Sequence, residues 1–443
     1  MSAMRPQAIT LVGAGLAGAL LAVLLARRGF AVTLYDRRPD PRVAQAEGGR
    51  SINLALAARG IRALERAGML EQVRPLLIVM RGRMVHERAG ATALHAYGWK
   101  PEEVIHSAGR AALNRLLIEA AAKHPNVTFR FDRTCLGATP REDTLRFRDE
   151  QVPLTPTVAT DGGGSAIRTS LASAGLLSVR EDALDHDYKE LTLPAANGRH
   201  VLEPNALHVW PRGGFMLIAL PNTDGSFTAT LFLARSSFAA LSGAQAMEDF
   251  FEREFPDVVP LIPDLAGQFL RNPQGQLGTV YATPWHIGGQ VLLLGDAAHA
   301  IVPFHGQGMN AAFEDCVAFD ELLDTHHDWA TLFAEFERRR RPNADAIAQM
   351  ALENYIEMRD TVLDPRYQRH KVLAVELEKR FPERFIPRYS MVMFHPEIPY
   401  AEALRRGALQ VDILAQLDDA NAGPDSALAR SLIEARLAPI SPS

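Results

Sequence analysis

The loop Gly13-Ala14-Gly15-Leu16-Ala17-Gly18, set between two apolar runs, constrains this chain more than any other segment. Residues 8–12 read as a buried parallel strand and 15–29 as the helix after it. Residues 31–36 (Ala-Val-Thr-Leu-Tyr-Asp) complete a βαβ unit as its second strand. In such a unit Gly13 permits the turn, Gly15 lets backbone approach a pyrophosphate, and Gly18 lets helix pack on strand. The helix N-terminus offers free N–H groups and a positive dipole end to the phosphates. Asp36 ends the second strand about 20 residues on, placed to accept hydrogen bonds from ribose hydroxyls. The stretch Ile9 to Ala26, followed by Arg27-Arg28, also invites a membrane reading. Its glycines break it at loop spacing, well short of the ~20 continuous apolar residues a span needs. Neither a preceding basic cluster nor a small-residue cleavage site marks a signal peptide.

Two later motifs decide which nucleotide cofactor this is. Asp161-Gly162-Gly163-Gly164-Ser165-Ala166-Ile167-Arg168 lies mid-chain, and Gly295-Asp296 follows the apolar run Val291-Leu292-Leu293-Leu294. A carboxylate at a strand end beside glycine suits a ribityl hydroxyl. Gly306-Gln307-Gly308-Met309-Asn310 then opens another helix, whose N–H groups suit the O2 edge of a flavin, where negative charge grows on reduction. Alone, the middle motif reads as a surface turn and the late one as a plain strand–turn–helix joint. In this order, the three imply a fold whose chain returns twice to one cofactor. That selects FAD monooxygenases over ordinary dehydrogenases.

The bulk properties agree. The chain has 443 residues, enough for two or three domains, with 47% apolar and 22% charged residues. A net charge of −5 offers no basic field for nucleic acid. Cys135 and Cys316 are the only cysteines, which suits a reducing cytosol. Asn53 to Ala67 and Ala111 to Lys123 look helical, and Val127 to Phe131 looks like a strand. The alternating runs at 216–220 and 227–232, joined by Asn222-Thr223-Asp224-Gly225, read as an antiparallel hairpin. Residues 290–295 return to strand and 309–323 to helix; from Trp329 onward the pattern is mostly helical. The expected class is α/β. A discontinuous Rossmann-type FAD-binding domain covers 1–75, 100–180 and 275–328. A substrate-binding sheet domain covers 76–99 and 181–274, and a helical domain covers 329–443. The run Arg338 to Arg341 reads as a solvated helix end before Pro342. The adjacent pair His326-His327 cannot share a helix face, so no metal site is expected. The C-terminal stretch Ala427 to Leu437 is too short and too charged for a membrane anchor.

These motifs resemble the group A flavin monooxygenases, which share the para-hydroxybenzoate hydroxylase fold. Ala159-Thr160 stands where that family usually has Gly-Ala before Asp-Gly. Further segments are similar to the kynurenine-hydroxylating branch of the family: Arg50 to Leu56, Tyr188 to Leu191, Asn205 to Arg212, Val302 to Asn310 and Phe385 to Met391. The resemblance implies bound FAD, NADPH and O2 as co-substrates, and L-kynurenine as the small-molecule substrate. It implies reaction through a flavin C4a-hydroperoxide to 3-hydroxykynurenine, in tryptophan catabolism and on the route toward quinolinate and NAD. A cytoplasmic, unanchored protein is expected, with a homodimer within the family's range.

Carried onto this sequence, the FAD contacts are Gly13, Gly15, Gly18, Asp36, Arg37, Ala55, Arg110, Leu136, Asp296, Gln307, Gly308, Met309 and Asn310. Asp161, Gly162 and Arg168 are associated with both FAD and NADPH. Arg83 and Tyr97 match the pair that takes the substrate carboxylate, a role suited to the rigid two-pronged guanidinium. Arg81 is the nearest rival, on the same face if this is a strand. Asn354 and Tyr389 match other substrate-pocket positions. Phe304 and His305 would stand beside the flavin as catalytic residues. Histidine as a residue type titrates near neutrality, so a role for His305 in relaying a proton stands beside simple packing. Two other readings stand beside this one: a hydroxylase of phenolic acids on the same fold, and a non-catalytic flavin-fold binding protein.

Overall fold

The computed structural model describes residues 7–43, 53–361 and 364–440, so Arg50-Ser51-Ile52 lie outside the described residues. The chain divides into two compact units. The first comprises Met1–Leu77, Ala108–Leu184 and Leu277–Ala348; the second comprises Ile78–Ser107, Asp185–Gln276 and Gln349–Ser443.

The first unit is built on a six-stranded sheet ordered His286–Ile287, Val291–Leu293, Thr157–Ala159, Ala8–Val12, Ala31–Tyr35 and Val127–Arg130. All pairings are parallel except that of the two-residue edge strand. The Leu16–Arg27 helix is apolar nearly all round, as a helix covered on more than one side must be. It packs on the helices Arg110–Ala122 and Gly308–Leu322. Leu20, Leu21, Val23 and Leu24 are buried there, each contributing roughly 1.5–3 kcal/mol relative to exposure. The expected Asn53–Ala67 helix divides instead into a strand, Asn53–Leu56, and a shorter helix, Ala58–Arg66.

A seven-stranded sheet is ordered Gln274–Thr283, Ser178–Leu193, Phe227–Ala234, Met216–Pro221, Leu207–Pro211, Gly82–His86 and Thr92–Ala96, and its last five strands lie wholly in the second unit. The pairings of Phe227–Ala234 and Met216–Pro221 are antiparallel, and Leu207–Pro211 joins Gly82–His86 in parallel. Asn222-Thr223-Asp224-Gly225 forms the expected hairpin turn, with Gly225 at φ +87°. Leu191, Trp210, Leu217 and Phe227 pack with Phe250, Phe251 and Phe269 from the helices Ala244–Glu254 and Leu265–Arg271. A separate core of Leu377, Ile413, Leu417 and Ile433 joins the C-terminal helices. Among the described residues, no helix is long and apolar enough to cross a membrane.

Candidate functional site

In the first unit, the three glycine motifs follow three adjacent parallel strands. Gly13 succeeds Val12, Thr160-Asp161 succeeds Ala159, and Leu294-Gly295 succeeds Leu293. Backbone hydrogen bonds join neighbouring ends: Gly13 N donates to Tyr35 O at 2.7 Å, Thr160 N to Val12 O at 2.8 Å, and Leu294 N to Ala159 O at 3.0 Å. Ligands in open α/β sheets sit outside such carboxyl ends of strands.

The contacts explain the residue types. A Cβ on Gly18 would lie 1.9 Å from Gly13 O and 2.6 Å from Thr160 Oγ1. Gly13, at φ +107°, presses on Thr160 O, where a Cβ would stand 2.4 Å away. Around Gly15 nothing lies within 4 Å of that position, so the backbone there is open to a ligand. No side chain caps the Leu16–Arg27 helix, which leaves its first N–H groups for an anion. Gly295, at φ +61°, faces Ala312 and Ala17, tying the late motif to the helices of the early and late loops.

Asp36 follows Tyr35, with one oxygen accepting from Ala14 N at 2.7 Å. Burial alone would raise its pKa, but the Arg38 guanidinium and backbone hold the carboxyl below its usual value. The Arg38 side chain is 56% exposed. Asp296 is half-buried. Asp161 acts at a helix start: Oδ2 accepts from Ala166 N at 2.8 Å and Ile167 N at 3.3 Å. Gly162 takes φ +83°. Arg168 is buried and donates to the backbone oxygens of Ala297 and Gly163. It joins the middle motif to the late one. Asn310 is likewise buried; it accepts from Ala57 N at 2.9 Å and donates to Ala55 O at 2.8 Å and Gly306 O at 2.9 Å. It fixes the loop that Gly308 and Met309 continue. Gln307, Phe304 and His305 are buried, whereas Arg37, Arg110 and Leu136 are exposed.

The second unit gathers a different chemistry. Arg83 lies in the Gly82–His86 strand with its side chain 11% exposed. Its guanidinium carbon is 5.0 Å from the Tyr389 ring centroid, and Tyr389 stacks on Tyr97 at 5.7 Å and 14°. Glu357 Oε1 is 3.7 Å from Arg83 Nη1 and accepts from the Tyr367 hydroxyl at 2.5 Å. Burial, partly offset by Arg83, pushes the Tyr97 hydroxyl well above its usual value. Lys371 is brought down to about 8 by burial and then by Arg83. Arg81 is exposed. Asn354 is buried, one turn before Glu357, with Nδ2 3.3 Å from Met358 Sδ.

Comparison with known proteins matches the FAD binding domain family over residues 7–351. Kynurenine 3-monooxygenase of Stenotrophomonas maltophilia strain K279a is 49% identical over 94% of this chain and 93% of its own length. The enzyme of that name from Xanthomonas oryzae pv. oryzae strain MAFF 311018 is 46% identical over 99% of both. The chain belongs to the kynurenine 3-monooxygenase family. It is a flavin-dependent monooxygenase. Solved structures support the fold. The tetrameric form of 2-methyl-3-hydroxypyridine-5-carboxylic acid oxygenase has a TM-score of 0.69 at 18% identity, over 82% of this chain and 95% of that one. Pseudomonas aeruginosa PqsL in complex with 2-aminobenzoylacetate has a TM-score of 0.62 at 21% identity, over 77% and 93%.

For a kynurenine 3-monooxygenase family member, two parts of the structure went unanticipated. Behind the Gly295-Asp296 turn, Asp315 Oδ2 accepts from Gly295 N at 3.1 Å and lies 2.6 Å from His299 Nε2. Its other oxygen accepts from Arg340 Nε at 2.6 Å, and Arg340 also pairs with Glu314 at 2.7 Å. Burial alone would lower the His299 pKa, yet Asp315 raises it. Arg340 is therefore an interior residue, a correction to the solvated reading of the arginine run. Helix phase carries the signal: Phe333, Phe336, Arg340, Ala344 and Ile347 recur at helical spacing, and all are buried. The helix also continues through Pro342, running Trp329–Ile356. The second unanticipated group is Glu357, Tyr367 and Lys371 around Arg83. Glu357 sits in a π turn, Glu357–Thr361, which no simple periodicity announces.

The glycine contacts carry a prediction. Gly18→Ala should give colourless or insoluble protein, because the new methyl meets rigid backbone. Absorbance near the flavin bands after purification checks it; a yellow, fully loaded variant would contradict the packing described.

Proposed function

We propose that the protein hydroxylates L-kynurenine at the ring carbon ortho to its amino group, giving 3-hydroxykynurenine. FAD is the bound cofactor, and NADPH, a proton and O2 are consumed, with NADP+ and water as the other products. When bound, FAD would take hydride from NADPH and deliver one oxygen atom of O2 to the ring. The open Gly15 backbone, the uncapped helix start and the Asp36 carboxylate suit its pyrophosphate and ribose, and Asp296 suits its ribityl chain.

The observation that carries the substrate assignment is the buried Arg83 cation, walled by Tyr97 and Tyr389 and paired only loosely with Glu357. Such a site suits an amino-acid zwitterion. The substrate carboxylate takes Arg83 in place of Glu357, with the Tyr97 hydroxyl donating to it. Glu357 then accepts from the substrate ammonium. This exchange keeps Arg83 and Glu357 each paired. Asn354 lies close enough in sequence to Glu357 to line the same pocket. Phe304 and His305 lie in the loop between the late motif and the Gly308–Leu322 helix, where they exclude water, and His305 is suited to hold a proton. The test is NADPH oxidation that depends on kynurenine and yields 3-hydroxykynurenine; FAD-loaded protein giving no such product sinks the reading. A phenolic-acid hydroxylase would have no need of the Glu357–Arg83 pair.

Lys371 adds a pH dependence. It is cationic below about 8 and neutral above. The positive field that favours a carboxylate at Arg83 is present at lower pH and weakens as pH rises through that value. KM for kynurenine should rise above pH 8, and Lys371→Met should flatten the profile. The sign for stability runs the other way. The folded pKa lies below the ordinary 10.5, so protonated Lys371 opposes folding at low pH and that cost fades between about 8 and 10.5.

A further inference from the structure

We propose that Glu103, Glu378 and His395 form a divalent-cation site of the zinc type in the second unit, separate from the Arg83 cluster. One ligand atom from each lies within 4.8 Å of the other two. Donors around a single zinc ion at ~2.1 Å stand roughly 3–4 Å apart, so the trio needs only a small contraction.

The burial is unusual for such a set. Glu103 is 4% exposed and Glu378 2%. Neither Glu378 oxygen has a hydrogen-bond donor in bonding geometry among the described residues, although Trp99 stands beside it. Two buried carboxylates held together call for a shared proton or a compensating cation. The one at hand is Lys100, whose Nζ lies 3.6 Å from Glu103 and 3.9 Å from Glu378, too far to hydrogen-bond either. Its side chain is 32% exposed. Glu103 is fixed from below: Oε2 accepts from Lys100 N at 3.1 Å, and the carboxylate packs where a Cβ on Gly98 would stand 1.9 Å away. His395 Nδ1 lies 2.8 Å from Glu397 Oε1. A carboxylate on Nδ1 leaves Nε2 bearing the lone pair, the arrangement that orients ligating histidines. Two carboxylates and an imidazole select a borderline ion over hard, oxygen-seeking Ca2+ or Mg2+.

The placement gives the site a consequence. Glu103 follows Tyr97 along one segment, Glu378 shares the Pro365–Arg380 helix with Tyr367 and Lys371, and His395 ends the helix that carries Tyr389. A bound ion would staple together the three segments that supply the aromatic and cationic groups around Arg83.

Isothermal titration of Zn2+ into chelator-treated, FAD-loaded full-length protein tests this, with Ca2+ as the control ion. Glu378→Gln and His395→Gln should each weaken Zn2+ binding roughly tenfold or more. Lys100→Ala should tighten it by removing the competing ammonium, and Zn2+ should raise Tm in the wild type but not in Glu378→Gln. Metal-free melts and flavin absorbance establish that each variant is folded. Wild-type protein that does not bind Zn2+, or folded Glu378→Gln and His395→Gln variants that bind it as wild type does, would overturn the assignment. So would a Lys100→Ala variant with unchanged or weaker affinity.

Discussion

Arg83→Met should raise KM for L-kynurenine at least about thirtyfold while leaving FAD bound, because removing one partner of a buried charge pair typically costs ~2–5 kcal/mol. The guanidinium is enclosed by Tyr97 and Tyr389, and few waters can replace it. Part of the loss comes from Glu357, left beside Tyr367 without its cation. Arg83→Lys should rescue little, since an ammonium cannot offer two parallel donors to a carboxylate. Arg81→Met is the control: that side chain is exposed, and its loss should leave KM within twofold or so. Steady-state kinetics on the three variants, with flavin content measured in each, decides between the two arginines. Equal effects at Arg81 and Arg83 would contradict the assignment.

Arg340→Met should destabilise the protein by ~3–5 kcal/mol, the usual consequence of leaving buried carboxylates without their cation. Asp315 is fully enclosed; burial alone would raise its pKa, but His299 and Arg340 hold it down. Arg339→Met, on an exposed neighbour that pairs with Glu335, should cost under about 1 kcal/mol. Because Asp315 also accepts from Gly295 N, the Arg340 variant should lose FAD more readily than its global stability alone explains. Thermal unfolding with and without added FAD measures both effects. Matching melts for the two variants would show that the network contributes nothing.

What was legible in the sequence divides along physical lines. Gly13, Gly18 and Gly295 stand where a Cβ would strike backbone or a neighbouring helix, so their identity carries the geometry directly. The βαβ unit was equally plain, because strand and helix periods differ sharply over long apolar runs. The Asn53–Leu56 strand was not: a short apolar run leading into a helix has no distinguishing period. Arg340 was misread because a run of four arginines looks like a solvated surface, and only its phase with Phe336 and Ile347 reveals an inward position. Glu357 escaped for a different reason. A π turn resets the helical register, and its partner Arg83 lies far away in sequence. Arg83, Tyr97 and Tyr389 were singled out by resemblance alone; their stacking is a tertiary fact that spacing cannot supply.

The central claim is that a zwitterionic amino-acid end is gripped at Arg83 while the attached aniline ring is hydroxylated. The most direct measurement is kcat/KM for L-kynurenine against its decarboxylated counterpart, kynuramine, with the products identified by mass spectrometry. The account predicts 3-hydroxykynurenine from the first and a kcat/KM at least about thirtyfold lower for the second. Equal turnover of the two, or no hydroxylated product from either by FAD-loaded protein, would contradict it.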